Sequence, residues 1–196
     1  MSYATVAGLP RFLSTPALVN LSITVDDWFN SESDEDDDVK KPVTHHRADM
    51  VNGLTTFIEQ CEPTIHSLRL RELRISLQSL ERLLFNLPSV TNLLLSSVTM
   101  LSTFFRTTAY ASSDDHLRPV LPRLKALRLR HMPDDFPYED VCNLFAHRAA
   151  FHPNHETVKT LMFETFDSEP LERSDLKDAV LKVRKHGVDV HLSPLY

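Results

Sequence analysis

The stretch "LPRLKALRLRHM", Leu121 to Met132, is echoed thirty-four positions earlier by "LPSVTNLLLSSV", Leu87 to Val98. Both read Leu-Pro, an apolar residue two places on, then Leu-x-Leu. Reduced to apolar-x-x-Leu-x-apolar, the echo gives Val90-Leu93-Leu95 and Leu124-Leu127-Leu129. The same template fits Ile65-Leu68-Leu70, Val158-Leu161-Phe163 and Leu18-Leu21-Ile23. The central leucines fall at 21, 68, 93, 127 and 161, in steps of 47, 25, 34 and 34. The first steps are irregular, but the last two are equal, and the sequence reads as a true repeat.

Leu-x-Leu is alternation of period two, so its apolar side chains share one face of a short strand. Helical spacing follows these strands. In "SLQSLERLLFNL", Leu77, Leu80, Leu83, Leu84 and Leu87 form one apolar stripe, with Ser76 as N-cap and Pro88 closing the helix. "PYEDVCNLFAHRAAF" opens on Pro137, places Glu139 and Asp140 in its first turn, and buries Val141, Leu144 and Phe145. "EPLERSDLKDAVLKVRKHG" starts acidic, ends basic and stops at Gly187, a left-handed C-cap, before a last strand Val188-Val190-Leu192. "HHRADMVNGLTTFIEQC" supplies a helix before the second strand. Strand and helix alternating in this way predict an α/β leucine-rich-repeat-like solenoid, with short parallel strands on the concave face and helices on the convex face. A doubly wound sheet is the alternative; against it, the strands are short and no Gly-rich turn follows them.

The chain has 196 residues, 42% of them apolar and 24% charged, and reads as one irregular domain over 1–196. Only 3 Gly stand against 12 Pro, which disfavours a Gly-rich phosphate loop. No apolar run approaches the roughly 20 residues needed to cross a bilayer. The N-terminus has no secretory signal pattern. Cys61 and Cys142 lack paired spacing and read as buried thiols of a reducing compartment, the cytoplasm or the nucleus. The net charge is −6, and "NSESDEDDD", Asn30 to Asp38, holds six acids. Without that tract the remaining 21 acids balance the 21 Lys and Arg. A neutral body makes nucleic acid a poor partner. The tract itself reads as part of a disordered acidic loop at about 30–44.

The order "FIEQCEPTIHSLRLREL", "LERLLFNLPSVTNLLL", "LPRLKALRLRHM", "LKVRKHGVDVHL" resembles the C-terminal leucine-rich region of fungal, mushroom-type F-box-like proteins, over roughly residues 50–193. The resemblance implies an adaptor: an F-box docks on the Skp1 subunit of a ubiquitin ligase, and the repeats select a substrate. Residues 1–49 offer one strand and an acidic tract rather than a recognisable F-box. Skp1 is therefore an expected partner only if an F-box is missing from this gene model.

His147, His152, His155 and Glu156 are the best metal-like cluster, but Pro153 interrupts the segment and an exposed His-rich loop is the default. His45 and His46 are weaker. Cys142, among apolar neighbours, reads as core, and no motif for nucleophilic catalysis or phosphate binding appears. No cofactor and no enzymatic activity are expected. An undetected enzyme or metal-binding protein on a doubly wound fold, or a truncated gene product without independent function, remain the alternatives.

The residues between the apolar strand positions face away from the helices. They are Ser67, Arg69 and Arg71; Asn92, Leu94 and Ser96; Ala126, Arg128 and Arg130; and Thr160, Met162 and Glu164. Arg69, Arg71, Leu94, Arg128, Arg130 and Met162 form the expected partner site, for a protein or peptide carrying acidic or phosphorylated residues. Solvated arginines on inner strands are the competing reading, and the acidic loop is a candidate occupant when no partner is bound.

Overall fold

The computed structural model describes residues 19–24, 53, 56–57, 64–111, 121–151, 158–165 and 173–194. The strands are β1 (Asn20–Thr24), β2 (Ser67–Arg71), β3 (Asn92–Ser96), β4 (Ala126–Arg130), β5 (Thr160–Thr165) and β6 (Asp189–Pro194). Between them lie α1 (Leu77–Phe85) after β2, α2 (Leu101–Ala111) after β3, α3 (Tyr138–Phe151) after β4 and α4 (Ser174–Arg184) after β5. All six strands are parallel, in the order β1-β2-β3-β4-β5-β6. The order never reverses, whereas a doubly wound sheet depends on such a reversal.

Register follows the repeat. Leu21, Leu68, Leu93, Leu127, Leu161 and Val190 form one column across the sheet, and Ile23, Leu70, Leu95, Leu129, Phe163 and Leu192 form the next. From β2 onward the first column is buried, together with Leu70, Leu95, Leu129 and Phe163 of the second. These side chains share a single core with Leu80, Leu83 and Leu84 of α1, Phe104 and Phe105 of α2, Val141 and Phe145 of α3, and Leu176 and Val180 of α4. The helices therefore cover one face of the sheet. Each fully buried Leu contributes roughly 1.5–3 kcal/mol of transfer free energy, so the columns supply much of the drive to fold. Under β4 and β5 the core turns aromatic. Phe105 meets Phe136, Phe136 meets Tyr138, and Tyr138 meets Phe163, with ring centroids 4.9–6.0 Å apart.

The backbone repeats as strictly as the leucines. Before each of β1 to β4 one carbonyl accepts two amides from the next strand's entry: Val19 from His66 and Ser67, His66 from Thr91 and Asn92, Thr91 from Lys125 and Ala126, Lys125 from Lys159 and Thr160. Before β5, Lys159 accepts one, from Asp189. After β2, β3 and β4 the chain turns through a left-handed residue, Glu72 (φ 53°), Ser97 (φ 51°) and His131 (φ 51°). Each of these donates its amide to a carbonyl at the end of the neighbouring strand: Glu72 to Ser96, the last residue of β3; Ser97 to Arg130, the last residue of β4; and His131 to Glu164, one before the last residue of β5. Such a φ is uncommon for non-glycine residues. Here the ladder bond on the far side of the turn holds it.

Local signals account for the helix ends. Ser76, extended at ψ 155°, accepts the Ser79 amide at 3.2 Å as the N-cap of α1. Pro137 stands just before α3, and its carbonyl takes the amides of Asp140 and Val141. Gly187 adopts φ 78° after α4, as its position suggests. Thr99 ties two successive turns together: its hydroxyl accepts from the Ile75 amide at 2.9 Å and donates to the Ile75 carbonyl at 3.0 Å. Arg148 of α3 is buried and donates to the Leu121 carbonyl at 2.8 Å, and burial pulls its guanidinium down to about 10.

The acidic loop at 30–44, Cys61, and the His45, His46, His152, His155 and Glu156 positions lie outside the described residues, as does most of the helix expected over 45–61. Among the described residues no helix is long and apolar enough to cross a membrane.

Candidate functional site: the face of the sheet opposite the helices

Because the leucine columns turn toward the helices, the intervening strand residues must turn the other way. One outward column runs Ser22, Arg69, Leu94, Arg128, Met162, His191, and the next runs Thr24, Arg71, Ser96, Arg130, Glu164, Ser193. All six residues expected to form the partner site are thus in two adjacent rows of one surface, with neighbouring strands about 4.8 Å apart. None belongs to the helix-side core. Parallel sheets ordinarily have both faces covered. Here the described helices cover only one.

The arginines fall into two unlike pairs. Arg128 donates through Nη2 to Oε1 of Glu164, and Nε of Arg130 pairs with its Oε2. The carboxylate is sunk between them, its side chain 7% exposed, while Arg128 and Arg130 keep 42% and 26% of theirs. Arg69 and Arg71, two strands away, make no hydrogen bond or ion pair with other described residues. Sequence reasoning placed Glu164 on this face but missed its part in the site. The signal was present, since Arg130 and Glu164 occupy equivalent places in neighbouring repeats and so stand side by side.

Leu94 lies between Arg69 and Arg128 and is only 9% exposed, although it is outside the main core. Ser96, also buried, shares a 3.2 Å hydrogen bond with Nδ1 of His131, which ties the end of β3 to the turn after β4. At the β6 end, Nε2 of His191 and Oδ2 of Asp189 are 2.8 Å apart on an open edge.

The other candidates do not gather here. Cys142 is fully buried on the helix side; burial, with a smaller push from Glu139, raises its thiol to about 12. It stays protonated at neutral pH, which suits packing rather than nucleophilic attack. His147 lies on α3, and its expected metal companions are outside the described residues. Among the described residues there is no group of three or more His, Cys, Asp or Glu able to hold a metal ion. What the face offers chemically is cationic forks beside apolar side chains, an arrangement suited to binding carboxylates or phosphates.

Comparison with known proteins finds no counterpart: no family model, no curated protein and no solved structure matches the chain.

Proposed function

We propose that this chain is a non-catalytic protein-interaction module. In this reading its sheet and helices form a leucine-rich-repeat solenoid, with the arginine-bearing face as the concave docking surface. The ligand is an acidic or phosphorylated peptide. The observation that carries this reading is the pairing state of the face: Arg69 and Arg71 have no partner among the described residues, and Arg69 stands beside Leu94. An arginine fork and an apolar contact are the two elements a phosphopeptide site needs. The sequential strand order and the repeated strand-entry bonds support the solenoid.

The resemblance to fungal F-box-like proteins extends the proposal to a role as the substrate-recognition part of a ubiquitin ligase adaptor, working in the cytoplasm or nucleus. Skp1 capture would then require an F-box, which the described residues do not supply. The test of the core reading is fluorescence anisotropy with a labelled phosphoserine peptide. Arg69→Glu with Arg71→Glu should weaken binding at least tenfold, given about 1.5–3 kcal/mol for each hydrogen bond to a charged group. Equal affinity of wild type and double variant for the peptide would dismiss the site.

A further inference from the structure

Resting on the reading of this face as an anion-binding surface, we propose that Glu164 is a specificity-determining residue. By clasping Arg128 and Arg130, it leaves the Arg69–Arg71 end to accept one anionic group and denies a second group the other end.

Both carboxylate oxygens of Glu164 are engaged, one by each arginine, and its side chain is nearly withdrawn from water. One carboxylate against two guanidinium groups leaves this end with about half the positive charge of the Arg69–Arg71 end, and an incoming anion must approach the negative charge of Glu164 itself. It must also give up translational freedom, which the tethered Glu164 does not. Arg69 and Arg71 have no such internal competitor among the described residues. Among the described residues the face therefore presents four guanidinium groups, of which only the Arg69–Arg71 pair is free of an internal carboxylate.

The geometry sets a length scale. Arg69 and Arg128 share one column with Leu94 between them, two strand spacings apart, or about 10 Å. An extended peptide crossing the strands rises about 3.3 Å per residue. Side chains of such a peptide alternate in direction. Two anionic residues four positions apart, about 13 Å, would therefore face the sheet together within reach of both pairs of long arginine side chains, and would set the residue midway between them over Leu94. The clasp makes the protein read the first anion and the apolar contact while disregarding the second anion.

The experiment uses the full chain and two synthetic ten-residue peptides with a central leucine. One carries a single phosphoserine, the other two phosphoserines four positions apart, each two residues from the leucine. Affinities are read by fluorescence anisotropy for wild type, Glu164→Gln and Glu164→Ala, with thermal melts to establish folding. Wild type should bind the two peptides within about twofold of each other, since the second phosphate meets arginines already engaged by Glu164 and is repelled by its carboxylate. Glu164→Gln, which removes the competing charge at constant size, should prefer the doubly phosphorylated peptide on the order of tenfold. Glu164→Ala should show the same preference. A wild type that already gains tenfold from the second phosphate overturns the assignment, whether or not the variants fold. So does a folded variant with no gain. Binding that is indifferent to Arg69→Glu with Arg71→Glu instead overturns the underlying site, an outcome distinct from either.

Discussion

The sharpest structural prediction concerns β4, where four consecutive residues alternate between opposite environments. Leu127 and Leu129 are buried on the helix side, each between apolar partners in the flanking strands: Leu93 and Leu161 for one, Leu95 and Phe163 for the other. Truncating a buried Leu to Ala costs about 3 kcal/mol, within a range of roughly 2–5. Arg128 is on the opposite face with its side chain 42% exposed, and Arg130 remains beside Glu164 after its loss. Arg128→Ala should therefore cost about 1 kcal/mol or less. For a urea slope of about 2 kcal/mol/M, these values shift the unfolding midpoint by about 1.5 M for either leucine and about 0.5 M or less for Arg128. Far-UV circular dichroism of the single variants along β4 would show cost rising and falling with a period of two. Equal midpoint shifts for Leu127→Ala and Arg128→Ala, or a Leu129→Ala shift below about 0.3 M, would refute the alternation and with it the assignment of the open face.

Further outcomes follow from other details. Replacing Arg128 and Arg130 together with Met removes both cations that hold Glu164 and should cost about 3 kcal/mol or more, while adding Glu164→Met should recover most of it in the same urea assay. Ser97, exposed at φ 51°, should gain about 0.5–1 kcal/mol as Ser97→Gly and lose about 1 kcal/mol as Ser97→Val, read as opposite changes in melting temperature. Cys142 is raised from 9.0 to about 12 in the native state, mainly by burial, so the unfolded chain gives up this proton first as pH rises. The stability linked to Cys142 is therefore fully present below pH 9 and lost as pH climbs toward 12, with a slope approaching about 1.4 kcal/mol per unit. Urea unfolding at pH 8 and pH 10 should show a smaller alkaline loss for Cys142→Ala than for wild type. Tyr138, raised to about 12 by burial, adds a loss of the same sign beginning about one pH unit higher.

Much of this architecture is readable in the leucines because alternation and spacing report directly on which side chains must share a face. All five central leucines of the template fall in one column, and the four preceding apolar residues within the described set, Ile65, Val90, Leu124 and Val158, are all buried. The template passes over β6 because its first apolar place falls on Gly187, whose φ of 78° serves the turn after α4 instead. Helix α2 was harder to see: "LSTFFRTTAYA" carries three Thr, a residue type of modest helix propensity, and no acid in its first turn. Its buried Leu101, Phe104 and Phe105 keep the helical spacing, so packing overrides weak local preference. The candidate face was legible in position but not in pairing state. Parity alone says that Arg128, Arg130 and Glu164 point the same way, whereas the pairing of both arginines with one carboxylate depends on register between strands thirty-four residues apart.

The bonds at both ends of the strands reach beyond stability. Val19, His66, Thr91 and Lys125 set the entries through their carbonyls, and Glu72, Ser97 and His131 secure the exits through their amides. These fastenings use main-chain atoms, and the leucine columns supply the adhesion behind them. Apart from the Glu164 cluster and Ser96, side chains on the face away from the helices carry little of the structural duty. Such a lattice can diversify there by point mutation, acquiring or shedding recognition chemistry while the scaffold beneath stays the same.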